Sequence, residues 1–123
     1  MSHVLQATRD ERGPAAPEKY KHSEPAETLE RIGGNVTSIF WDMKGWTCSG
    51  QGSRVTTDDV NGVRTDSQVS VSITEVDANG TPIVGLAGLA VYNVAPQDGK
   101  VTVHWWVGWD PELHIRLNYI VVN

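Results

Sequence analysis

The last part of the chain, V101-T-V-H-W-W-V-G-W-D-P-E-L-H-I-R-L-N-Y-I-V-V-N123, limits the fold more than any other stretch. Side chains alternate across a strand, so residues of like parity share a face. The odd positions Val101, Val103, Trp105, Val107 and Trp109 are all apolar. The even ones are Thr102, His104, Trp106, Gly108 and Asp110. Beyond Pro111, which cannot donate to a ladder, Leu113, Ile115, Leu117, Tyr119 and Val121 repeat the odd apolar set. Two half-buried strands with their odd faces on a core follow from this pattern.

A three-residue turn at 110–112 lets both odd sets share one face of a hairpin. That register places Trp105 opposite Leu117 and Val103 opposite Tyr119. On the outer face it sets Trp106 opposite Arg116 and His104 opposite Asn118. Trp105 and Trp109 belong to the core, and Trp106 does not. Trp106 then has three readings: a local cross-strand pair with Arg116, an interface anchor, or a platform for a sugar ring. In the last, Arg116, Asn118 and His104 would bond the hydroxyls. Trp106, Arg116, His104, Asn118 and His114 are the candidate ligand- or partner-binding residues.

The rest of the chain from residue 35 also reads as β. Gln68–Val76 alternates strictly, with Val69, Val71 and Ile73 on one face, as for a half-buried antiparallel strand. Asp77-Ala-Asn-Gly80 and Pro96-Gln-Asp-Gly99 are turn signals, and Val60-Asn-Gly-Val63 is a hairpin signal. The run Ile83–Val91 is apolar on both faces and reads as a central strand covered on both sides. Gly45–Asp66 is polar and glycine-rich, which suits edge strands and loops. Turn signals at short spacing, with no long helical period, predict an all-β antiparallel β-sandwich, jelly-roll-like or a flattened barrel.

Residues 1–34 differ in character and form an extended N-terminal arm before the 35–123 domain. They carry five basic and six acidic side chains, three prolines and one aromatic, Tyr20. That is too little apolar surface to offset their ordering entropy alone. One short helix is expected near 24–32, capped by Ser23 and stopped by Gly33. Composition alone reads it as a floppy tail; the other reading is an arm that gains order by docking on a neighbouring subunit or partner.

Composition removes several functions. The net charge is −5 and there is no basic stripe, so phosphate neutralisation of nucleic acid has little to work with. No apolar run is long enough for a membrane span. The start of the chain lacks the apolar segment of a secretion signal, so the Asn35-Val36-Thr37 sequon reads as chance. Cys48 is the single cysteine, which fits a cytoplasmic protein or a particle such as a virion assembled there.

No catalytic constellation, cofactor motif or metal set stands out. The predicted register puts His104 and His114 on one face at roughly 13 Å, too far to share a metal. Gly50-Gln-Gly52 begins a nucleotide fingerprint but lacks its third glycine. Asp58, Asp59, Asn61 and Asp66 do not match a calcium loop and read as a solvated turn. Cys48 has no local partner signature and reads as a buried or half-buried thiol. Trp41 and Trp46 flank Asp42–Gly45 as either a second aromatic rim or core anchors.

These features favour a non-catalytic structural protein that associates with itself or with a protein partner. A small β-sandwich behind a polar arm is the plan of many viral coat and decoration proteins. It is also found in lectin-like modules, so a carbohydrate-binding role through Trp106 is the alternative.

Overall fold

The computed structural model describes residues 7–9 and 34–123. They contain seven strands and no helix: β1 (Thr8–Arg9), β2 (Ile39–Cys48), β3 (Gly52–Asp59), β4 (Gln68–Val76), β5 (Gly88–Gln97), β6 (Lys100–Gly108) and β7 (Leu113–Val122). They form two antiparallel sheets, ordered β1-β2-β7-β4 and β3-β6-β5. The helix expected near 24–32 and most of the arm lie outside the described residues. Among these residues no helix is long and apolar enough to cross a membrane.

The alternation at the C-terminal end holds through β6 and β7, while Trp109 lies just beyond β6, half-buried against the core. Val101, Val103, Trp105 and Val107 of β6 are buried, as are Leu113, Ile115, Leu117, Tyr119 and Val121 of β7. With Phe40, Trp46 and Cys48 of β2 they make one core filled from both sheets. β4 has the expected bounds, and Val69, Val71 and Ile73 pack against that core.

The pairing of β6 and β7 differs from the expected hairpin. Each is an inner strand of its own sheet, and residues 109–112 carry the chain from one sheet to the other. Trp105 lies beside Arg54 and Val91, not Leu117, and Val103 beside Thr56 and Val94, not Tyr119. Parity fixes the face of each residue but not the neighbouring strand. Two odd-numbered apolar rows bury each other as well across a core as side by side in one sheet. The Val60–Val63 turn, with Gly62 at φ 95°, is likewise no hairpin. It links β3 to β4 in the other sheet, with Val60 and Val63 buried. The tight hairpin is β5–β6, turned at Asp98-Gly99 within the Pro96–Gly99 signal, where Gly99 has φ 77°.

The run Ile83–Val91 is not a central strand. β5 starts only at Gly88 and forms an edge of the three-stranded sheet. Residues 83–87 are a loop in which Val84 and Leu86 are 104 % and 92 % exposed and Ile83 is exposed as well. A short apolar run interrupted by Gly85 and Gly88 has no periodicity that separates a covered strand from an exposed loop. Most of Gly45–Asp66 follows expectation, with β3 an edge strand, whereas β2 lies between β1 and β7.

Candidate functional site: two separate outer faces

The five predicted site residues do not share a face. His104 and Trp106 point outward from β3-β6-β5, opposite Val55 and Asn93, and Ser53 and Ala90. His114, Arg116 and Asn118 point outward from the other sheet, beside Thr47, Gly45 and Met43 of β2. The Trp106–Arg116 and His104–Asn118 pairs therefore do not exist. His104 and His114 are in different sheets. Among the described residues no three His, Cys, Asp or Glu side chains gather as a metal site.

Arg116 and Asn118 serve their own sheet. Arg116 Nε donates to Asn118 Oδ1 at 2.7 Å, and Asn118 Nδ2 donates to Ser72 Oγ and Thr74 Oγ1 at 3.1 and 3.0 Å. These bonds knit β7 to β4. His114 Nδ1 lies 2.9 Å from Thr47 Oγ1 on β2, and its Nε2 lies 3.6 Å from Glu112. This face also holds Ile120, which is exposed, and Trp41. Trp41 and Trp46 are an odd number of residues apart, so they take opposite sides of β2. Trp46 anchors the core.

The outer face of β3-β6-β5 is the more aromatic. The Trp106 ring lies flat over two glycines: a Cβ at Gly108 would come 2.5 Å from Cη2, and one at Gly88 would come 3.1 Å from Cζ3. Tyr92, at the irregularity between Val91 and Asn93, is 58 % exposed and meets His104 edge-on with centroids 5.1 Å apart. Val55, opposite His104 on β3, is 48 % exposed. Among the described residues the only charges that the register places here are Asp59 and Lys100, directly opposite each other at the end of the pair far from Trp106. In a chain of net charge −5 this face is neutral.

Beneath it lies a polar row that the sequence reading missed. β3 turns Arg54, Thr56 and Asp58 into the core and leaves Val55 outside. Arg54 is fully buried, its guanidinium 5.7 Å from the Trp105 ring centroid. Its Nη1 donates to the Gly52 carbonyl at 2.7 Å and its Nη2 to the Ser49 carbonyl at 2.9 Å and to that of Gly50. Nε has no hydrogen-bond partner among the described residues. Asp110 holds the same turn from the crossover: its carbonyl accepts the Gly50 N–H at 2.7 Å and its Oδ1 the Gln51 N–H at 3.0 Å.

Further along β3, Thr56 Oγ1 accepts the Trp105 indole N–H at 2.9 Å. Asp58 Oδ2 accepts the Tyr119 hydroxyl at 2.5 Å and the Trp46 indole N–H at 3.1 Å. Asp58 is therefore no solvated turn residue. It accepts from two buried polar tips of the opposite sheet. The only hint in the sequence was that S53-R-V-T-T-D-D59 alternates with its one apolar residue out of phase. Burial raises the pKa of the Cys48 thiol above its ordinary 9.0, and the nearby Arg54 charge opposes this only in part. The thiol is thus neutral and a poor nucleophile.

Compared with protein-family models, with curated proteins and with solved structures, the chain matches none.

Proposed function

We propose that this chain is a non-catalytic β-sandwich that works by association, as a structural component of an assembly such as a virion coat or decoration layer. The observation that carries this reading is the 83–86 loop, with Val84 and Leu86 almost wholly in water. Covering each such aliphatic side chain is worth about 1.5–3 kcal/mol. A sequence that places two of them side by side on a projecting loop is suited to a state in which something covers them. The polar groups that might suggest catalysis are engaged structurally: Arg54 and Asp58 hold the core and a turn. The arm remains a second means of attachment, although β1 pairs with β2 of the same chain.

A carbohydrate-binding role is the second reading, favoured by the exposed Tyr92 beside His104 and Trp106. It has lost the polar partners Arg116 and Asn118, which lie on the other sheet. Tryptophan fluorescence during glycan titration, together with a glycan array, separates the two. Assembly predicts no glycan response. A glycan that shifts the emission, with the shift abolished in Trp106→Ala, would put the sugar platform first.

A further inference from the structure

We infer that two copies of this chain pair about a two-fold axis through one continuous surface, the 83–86 loop together with the outer face of β3-β6-β5. Val84 and Leu86 of each copy rest on the Trp106–Tyr92 face of the other. This deepens the assembly reading and rests on it.

The surface is continuous. Leu86 is two residues from Gly88, roughly 7 Å along an extended chain, and the Trp106 ring lies over Gly88. Tyr92, His104 and Val55 extend the same face. It thus contains both a projecting apolar element and a flat aromatic one, which is what a self-complementary two-fold contact requires.

Charge points the same way. Two copies of a chain of net charge −5 repel each other, and they do so least where each is neutral. The loop has no ionisable residue of its own, although the Glu75 carboxylate sits against Gly85, and among the described residues the register gives this face only the opposed Asp59 and Lys100. The same facts speak against a lipid surface. The loop lacks the Lys and Arg that hold such segments to anionic headgroups. Glu75, whose carboxylate sits against Gly85, would face them. In size, the exposed parts of Ile83, Val84, Leu86, Tyr92 and Val55 amount to on the order of 500 Å² per copy, approaching the roughly 800 Å² per partner of a stable interface.

The test is sedimentation equilibrium of the full chain and three variants. Leu86 is almost fully exposed, so Leu86→Ser removes no packing, and circular dichroism confirms that each variant is folded. The wild type should be a reversible dimer. Leu86→Ser, and Ala90→Glu beside Trp106, should each raise the dimer dissociation constant at least about tenfold. Ile120→Ser, on the other sheet, should leave it unchanged. A dimer indifferent to Leu86→Ser, or one broken by Ile120→Ser, overturns the surface while leaving assembly standing. A chain monomeric at every loading concentration overturns the pairing. The wider assembly reading is then decided by the glycan experiment above.

Discussion

The Arg54 guanidinium lies 5.7 Å from the centroid of the Trp105 ring, and neither side chain has any contact with solvent. A buried cation is tolerable only when its donors are used. Here the carbonyls of Ser49, Gly50 and Gly52 use Nη1 and Nη2, so one side chain fixes the β2–β3 turn and supports the central tryptophan. Arg54→Ala should cost several kcal/mol in urea unfolding, because it strips three turn carbonyls of a charged donor, each such hydrogen bond being worth about 1.5–3 kcal/mol. Arg54→Lys should recover only part of that, because an ammonium cannot reproduce the planar fork.

Asp58 ties the two sheets together through Tyr119 and Trp46. Asp58→Ala removes the acceptor that both buried donors share, and a buried donor left unsatisfied costs about 1–3 kcal/mol. Tyr119→Phe removes one donor and should cost less than Asp58→Ala. A double-mutant cycle by urea denaturation measures the coupling, which should be clearly non-zero.

The adjacent tryptophans should behave differently. Trp105→Ala empties a buried site and should cost about 3–5 kcal/mol. Trp106→Ala uncovers Gly88 and Gly108 without opening the core and should cost less. Gly108→Ala offers a sharper check. Its Cβ would meet the Trp106 ring at 2.5 Å, so the indole must lift off the sheet, and tryptophan emission should shift to the red in a folded protein.

Cys48 should resist thiol reagents in the native protein and react once unfolded. Its thiol pKa is raised by burial, so the folded state holds its proton more tightly than the unfolded chain. The resulting stability is complete below the unfolded value of 9.0 and is lost as pH rises from there through the folded pKa. Unfolding curves taken on either side of pH 9.0 should show that decline in the wild type, and Cys48→Ala should lack this contribution.

What could be read from the sequence follows from what strand periodicity encodes. It reports faces, so Trp105 was assigned to the core and Trp106 to the outside, and β4 was found at its full length. It does not report neighbours. The β6–β7 pairing failed because two rows that face each other across a core satisfy the same parity as two rows in one sheet, and with it went the grouping of Trp106 with Arg116 and Asn118. β3 was opaque for a different reason. Its inward residues are polar and are satisfied by Trp105, Tyr119, Trp46 and three turn carbonyls, partners remote in sequence or belonging to the backbone. The 83–86 loop reads as a strand because a short apolar run has no periodicity of its own, and hydrophobicity alone does not place a segment in a sheet.

Light scattering of the full chain over a dilution series tests the central claim, association, most directly. The account predicts a weight-average mass that climbs above the 13.5 kDa of one chain as concentration rises, with the rise suppressed when Val84 and Leu86 are both changed to serine. A mass of 13.5 kDa at every concentration for the wild type would contradict self-association. A rise that persists undiminished in the doubly substituted chain would contradict the role given to the loop.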